Sequence, residues 1–461
     1  MSNKTKSDFD AHSASAKDAG SAEISALACS VQVRVDQLVA GTRLHFPIHD
    51  RSGLLLLAHG AQITTHFKEL LIARGVLEVM LHEDDAADIA SSACSSQKRS
   101  KDGLQIPRYG ARLTNPLDDM VDARGLSLEQ SGPRIKDRLV RHGATGYDRG
   151  LRETIARQYL EACSKLGAMI TAVEAARLVD GGNVCAIVIE QLASLIQDID
   201  CVLYVAHEAG RSSSLAVRCV NMSLFGMAIA ADMGIHETAV RTIGLAGLMH
   251  DWGMVRVPKA LLDSSRILTR AEFVEIEKHP LHTLELLRYV SAIPDAVPVI
   301  CYQVHEKNDG RGYPRGRYKA EIHPGARILH VVDAYLGLIA SRPYRLALTS
   351  YAAISHLLEE AGQQLVDADV VRSLLNVVSM FPIGSYVTLT DGSKARVLRS
   401  GGDNFAAPVV QIVQTSKGEP VESQGIITDL SQAKQKIVKA LATPGRQEVG
   451  RTAADPYGYR E

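Results

Sequence analysis

Charge of one sign is missing from this chain. Lysine and arginine number 51 against 52 aspartates and glutamates, a formal net charge of −1. No basic surface large enough to dominate nucleic-acid binding is implied. Paired cysteine spacing is missing too. The seven cysteines form no Cys-x-x-Cys and are odd in number, which predicts reduced thiols rather than a disulfide framework. A long hydrophobic run is also lacking. The longest apolar stretch, Val184 to Ile196, is interrupted by Glu190 and Gln191 and falls short of the roughly 20 residues that a bilayer demands. Residues 1–28 are rich in Ser, Ala, Lys and Asp with no apolar segment, so neither a signal peptide nor a membrane anchor is expected. These absences predict a cytoplasmic protein with no membrane partner. No internal repeat is evident.

The 461 residues, 46% hydrophobic and 22% charged, imply two or three globular domains. Residues 1–29 read as a disordered tail. Residues 30–85 read as a small α/β domain. Val31, Val33 and Val35 alternate with polar residues as in a half-buried strand, Asp50 to Gly53 signals a turn, Leu54 to Leu57 and Val76 to Met80 are further strands, and Thr65 to Ala73 is helical up to Gly75. Residues 86–145 read as a linker with weak helices. From 146 to 378 the texture is helical, with apolar residues spaced by three and four over Glu153–Val179, Val184–Ile196 and Leu215–Met233. Thr269-Arg270-Ala271-Glu272 is a capping box. It opens a helix expected to carry His279 and to bend at Pro280. Residues 380–440 read as a small β-barrel-like domain, with a hairpin turning at Asp391-Gly392. Residues 441–461 read as a polar tail. The predicted class is mainly α: a helical bundle flanked by a small N-terminal α/β unit and a small C-terminal β unit.

The chemistry concentrates in the helical part. His250-Asp251, His279, His305 and Asp333 each lie beside apolar helical sequence. Neighbouring side chains on a helix diverge, so one buried face does not explain His250 and Asp251 together. A cation between several helices does. Nitrogen and carboxylate ligands of this kind suit iron, manganese or zinc. Two such ions about 3.5–4 Å apart would polarise a phosphodiester between them. A single histidine on a helix is more often packed or solvated than a ligand, and His282 and His330 keep that plainer reading.

The segment from about 210 to 378 resembles an HD-GYP domain, a branch of the HD phosphohydrolase superfamily. The resemblance rests on His250-Asp251-x-Gly253 with Val257-Pro258, on Leu268-Thr269 followed by Glu272-Phe273, and on His279-Pro280. It continues through His305-Glu306-Lys307-x-Asp309-Gly310-x-Gly312-Tyr313-Pro314-x-Gly316, Ala326-Arg327-Ile328, Val332-Asp333-x-Tyr335 and Arg342-Pro343-Tyr344-Arg345. It implies an enzyme that hydrolyses the bacterial second messenger cyclic di-GMP at a centre of two or more divalent metal ions. His250, Asp251, His279, His305 and Asp333 would be the ligands, with Asp251 central to catalysis. Tyr313, Pro314, Arg342 and Arg345 would shape the substrate pocket. Three positions depart from the family pattern. Met254 stands where a lysine is usual, Val304 where a first histidine precedes His305, and Arg218 where an upstream helix supplies a histidine. These departures put metal occupancy in question. They support an alternative: an impaired module that binds a nucleotide or docks a protein without turnover. A third reading, a phosphohydrolase acting on another nucleotide, is disfavoured by the intact Gly-Tyr-Pro loop. The long helices between 150 and 200 would serve a homodimer interface or an intramolecular bundle equally well.

Overall fold

The computed structural model describes residues 30–50, 55–58, 60–74, 76–86, 89, 127–209, 214–421 and 425–450. The tail expected at 1–29 lies outside them, as do most of the 50–53 turn, Gly75 and residues 451–461. The chain divides into two compact units, Met1–Pro107 and Arg108–Glu461.

In the first unit, β1 (Ser30–Arg34), β2 (Ile48–His49), β3 (Leu55–Leu57) and β4 (Glu78–His82) form a sheet of order β1-β4-β2-β3, with α1 (Thr65–Ala73) capped by Thr64. Leu38, Ile48, Ile63, Val79 and Leu81 are buried between them. The buried Asp85 carboxylate accepts the His45 and Phe46 N–H groups at 2.9 and 2.8 Å, which satisfies a charge that burial would otherwise penalise.

The second unit is a helical bundle with a sheet packed against it. In α2 (Arg149–Glu174) the buried residues Ile155, Tyr159, Ala162, Leu166, Ile170 and Val173 recur every three or four positions, one apolar stripe facing the core. This helix ends five residues before the expected Val179. That residue instead enters β5 (Val179–Asp180), parallel to β6 (Val290–Ser291). Next, α3 (Gly181–Ala209) runs well beyond Ile196 but breaks at Asp198, whose backbone is extended. The central helix is α4 (Leu215–Asp232), buried at every position from Cys219 to Ala231. It is long and apolar enough to cross a bilayer, yet its apolar surface is spent inside the bundle. Gly234, at φ 74°, turns the chain into α5 (Glu237–Met249). There follow α6 (Lys259–Leu262), α7 (Arg270–Glu277), α8 (His279–Leu287), α9 (Ala296–Gln303), α10 (Pro324–Ile339), β7 (Ala347–Leu348), α11 (Ser350–Gly362) and α12 (Ala368–Val378).

The Thr269 capping box opens α7 as expected, but His279 is not on that helix. The helix ends before Lys278, and α8 begins at His279 with Pro280 in its first turn. Proline there sacrifices no hydrogen bond, because the first N–H groups of a helix have no internal partner. Pro280 therefore starts a helix instead of bending one.

His323 caps α10. Its Nδ1 accepts the Gly325 N–H at 3.0 Å, and burial with the neighbouring Arg327 charge pushes the ring down to about 4. The folded protein keeps this ring neutral while the unfolded chain protonates it near 6.5. Stability should therefore fall as pH drops from about 6.5 to about 4, by roughly 3 kcal/mol at most. His323→Asn supplies a cap that does not titrate. Denaturant midpoints measured from pH 7 to 4 should show a flatter slope for this variant than for the parent.

The C-terminal strands are β8 (Tyr386–Leu389), β9 (Lys394–Arg399), β10 (Val409–Gln414), β11 (Ile427–Asp429) and β12 (Ile437–Leu441). They form one sheet of order β11-β10-β9-β8-β12, with Gly392 at φ 83° in the β8–β9 turn. Among the described residues β11 and β12 do not pair, so the sheet is open and not a closed barrel. Beyond it, β13 (Glu448–Val449) pairs parallel with β7. Residues 442–450, expected in a polar tail, are thus part of the fold. The later part of the expected linker is as well: Ile135 is fully buried, Lys136 pairs with Asp232, and Arg138 pairs with Glu237.

The sheet is fastened to the bundle by charge. Arg399, 3% exposed, donates to both Asp198 oxygens at 3.0 Å and reaches Asp200 at 3.3 Å, while its face stacks on the Tyr147 ring at 4.9 Å. Asp198 also accepts the Cys201 N–H at 3.0 Å, so it caps the second half of α3 where that helix breaks.

Candidate metal centre

The chain turns sharply after α5, and Gly253 is why. A Cβ on Gly253 would lie 2.0 Å from the His279 carbonyl oxygen, a contact no other residue type could accommodate. The Gly253 N–H donates to Thr283 Oγ1 at 2.9 Å, and that hydroxyl donates to the His250 carbonyl at 3.0 Å. These bonds tie the end of α5 to α8 and set His250, Asp251 and His279 face to face.

Each imidazole is oriented from behind. His250 Nδ1 lies 2.9 Å from the Gly247 carbonyl, and His279 Nδ1 lies 2.8 Å from the Ile276 carbonyl. Those contacts place the proton on Nδ1 and leave Nε2 as a lone pair. The Nε2 atoms then converge on one carboxylate oxygen. Asp251 Oδ1 is 3.1 Å from His279, 3.5 Å from His250 and 3.6 Å from His305. His279 Nε2 and His305 Nε2 are 2.9 Å apart. Asp251 Oδ1 is buried with no aligned hydrogen-bond donor. Burial alone would raise the Asp251 carboxyl, but the facing imidazoles hold it well below the carboxylate range. Burial would depress His305, yet Asp251 and Asp333 push it up to about 9.

These positions pass a simple test for a cation. Donor atoms bound at about 2.0–2.1 Å around a zinc-sized ion stand roughly 3.0–3.5 Å apart, close to the separations here. Asp251, His279 and His305 form the one such donor group among the described residues. His250 borders the group through Asp251. Asp333 lies on the opposite edge of His305, its Oδ2 3.5 Å from Nδ1. It contacts that ring but is not in the same donor group. Burial would raise the Asp333 carboxyl, and His305 holds it down at about 2.

The second oxygen of Asp251 faces a different cation. Arg218 Nη2 stands 3.4 Å from Oδ2. Val304 is wholly buried and offers only its carbonyl, which the His330 Nδ1 approaches at 2.9 Å. His282 faces Glu285 at 3.7 Å and is not in the donor group.

The Gly-Tyr-Pro loop is folded back by Glu306. This buried carboxylate accepts the Arg315 and Arg317 N–H groups at 2.7 and 2.9 Å. A Cβ on Gly312 would meet the Lys307 nitrogen at 2.3 Å, so the loop closes only with glycine there. It lays Tyr313 on His305, with ring centroids 5.0 Å apart and planes 12° from parallel.

Beside Asp251 opens a cavity of about 350 Å³ walled by Arg218, His250, Asp251, Asp333 and Arg342 among others. Tyr313 and Pro314 are not among its lining residues. Arg345, expected to hold substrate, is committed elsewhere. Its guanidinium donates to the carbonyls of Gly337 at 2.7 Å, Leu338 at 3.2 Å and Leu346 at 3.1 Å, satisfying the end of α10. Sequence reasoning missed Thr283 and the cavity residues Gly445–Glu448. No local pattern marks either.

Residues 205–370 match the family model described as an HD domain. This stretch is an HD domain. Three relatives frame it. A cyclic di-GMP phosphodiesterase of Pseudomonas aeruginosa is 27% identical over 289 residues, covering 62% of this chain and 69% of the relative. A cyclic di-GMP phosphodiesterase response regulator of Xanthomonas campestris is 34% identical over 32% of this chain and 39% of its own length. A 3′3′-cGAMP-specific phosphodiesterase of Vibrio cholerae is 30% identical over 38% of this chain and 36% of its own. The chain thus spans less than half of the latter two. Gly312-Tyr313-Pro314 stands beside His305 within this stretch.

Proposed function

We propose that this protein is a metal-dependent phosphodiesterase that hydrolyses cyclic di-GMP or a related cyclic dinucleotide. The observation that carries this reading is the convergence of three imidazole Nε2 atoms on the donor-free Asp251 Oδ1. It stands at the edge of a cavity that also holds Arg218 and Arg342. The names of the relatives support the substrate class.

A bound divalent ion supplies Lewis acidity toward a phosphoryl oxygen and activates water. Asp251, His279 and His305 would hold it, with His250 beside them. Asp333 fixes the His305 ring. Arg342 and Arg218 present forked donors to phosphate oxygens. Tyr313 covers the outer face of His305 and limits how that ring can swing. The expectation of two ions narrows to one, because the Arg218 guanidinium takes the side of Asp251 where a second cation would bind. A fixed positive charge there repels an ion and cannot ligate one.

The same guanidinium, with Met254 and Val304 in the places noted above, supports a second reading: a nucleotide receptor or protein-docking module without turnover. One experiment separates the two. The purified full chain is loaded with manganese, iron or zinc, its metal content is measured, and its action on cyclic di-GMP and 3′3′-cGAMP is followed. The enzyme reading expects about one ion per chain and a linear dinucleotide or GMP as product. Arg218→His should admit a second ion, to about two per chain. Metal-free protein that binds the nucleotide without cleaving it would establish the receptor reading.

A further inference from the structure

The segment after β12 comes back to the cavity beside Asp251. It is held at three points. The Thr443 N–H donates to Glu448 Oε2 at 2.8 Å, Arg446 Nη2 donates to the His207 carbonyl at 3.3 Å, and the Thr349 N–H donates to the Val449 carbonyl at 2.9 Å where β13 runs beside β7. Residues Gly445–Glu448 then line the same cavity as Arg218, Asp251, Asp333 and Arg342. A guanidinium carries five donors. Arg446 Nε is buried with no acceptor, and Nη1 stands 3.7 Å from Glu448 Oε1, too far for a hydrogen bond. Donors in such a position mark a place for a ligand acceptor.

Charge points to the same ligand. The three cavity arginines, Arg218, Arg342 and Arg446, are balanced by Asp251, Asp333 and Glu448. One divalent cation on Asp251 leaves a surplus of about two positive charges, which the two phosphodiesters of a cyclic dinucleotide neutralise.

We propose that the strap from Thr443 to Val449 is a wall of the substrate site and that Arg446 binds a phosphate of the cyclic dinucleotide. This rests on the phosphodiesterase reading above and adds a substrate contact from outside the HD domain. A charge-assisted hydrogen bond of this kind contributes about 1.5–3 kcal/mol, or about ten- to a hundredfold in affinity.

The test uses the full chain. Binding of a hydrolysis-resistant phosphorothioate analogue of cyclic di-GMP is measured by calorimetry on the metal-loaded protein, and KM and kcat are measured with cyclic di-GMP itself. Arg446→Ala should weaken binding and raise KM about ten- to a hundredfold, with kcat changed far less. Arg446→Lys should recover part of the loss. Arg446→Gln keeps a polar, uncharged side chain on the strap, so comparing its melting temperature with that of Arg446→Ala separates lost affinity from lost packing. Unchanged Kd and KM in Arg446→Ala and Arg446→Gln, with wild-type turnover intact, would overturn this inference alone. A wild type that neither binds nor cleaves the nucleotide would overturn the functional reading and this one with it.

Discussion

Replacing Asp251 by alanine will strip the metal from the protein and abolish hydrolysis. Its Oδ1 is the point on which His250, His279 and His305 converge, so its removal leaves imidazoles with no anion to offset a dication. A bound metal contributes several kcal/mol of transition-state stabilisation, and its loss should lower kcat/KM about a thousandfold or more. Metal content by mass spectrometry should fall toward zero in the same variant. Asp251→Asn keeps the side-chain volume and should behave alike in both assays, which separates the charge from the packing. Metal retained at the parental level in both variants would show that the cation binds elsewhere.

Removing Arg399 should have the largest effect on stability. Its guanidinium is the partner of Asp198, a carboxylate 1% exposed. Breaking such a pair on one side leaves an uncompensated buried charge and costs about 3–5 kcal/mol. Arg399→Ala should therefore lower the denaturation midpoint strongly. Arg399→Met with Asp198→Asn removes both charges, keeps the side-chain cap on Cys201, and should recover most of the loss. If the single and double variants were equally destabilised, the ion pair would not be what fastens the sheet.

The residues of the candidate site were easy to single out because each carries its own local signal. His250-Asp251 precedes an obligatory glycine, His279 precedes a proline, and His305 precedes the Gly-Tyr-Pro loop. Asp333 interrupts an apolar helix. What was not legible depends on contacts between distant segments. The Pro280 pattern is the same for a bent helix and for a helix start, and only the position of Lys278 outside regular helix decides. Arg345 looked free to bind phosphate because its sequence does not reveal that the end of α10 lies within its reach. That Asp333 meets His305 on the Nδ1 edge depends on how α10 packs, which no local pattern shows. The Asp198 break inside an unbroken apolar pattern was invisible, since its cause, Arg399, lies about two hundred residues away. Strand β13 is two residues long and too short to show periodicity.

The pairing of β13 with β7 joins residues 448 and 347, and it sets an order of events during synthesis. Domains take shape as they leave the ribosome, N-terminal parts first. The candidate donors Asp251, His279 and His305 all precede the sheet and its strap in the chain and can assemble while those are still being made. On the phosphodiesterase reading, a nascent chain would load its ion before it can grip a nucleotide, and competence for turnover would arrive late, with the last pocket wall.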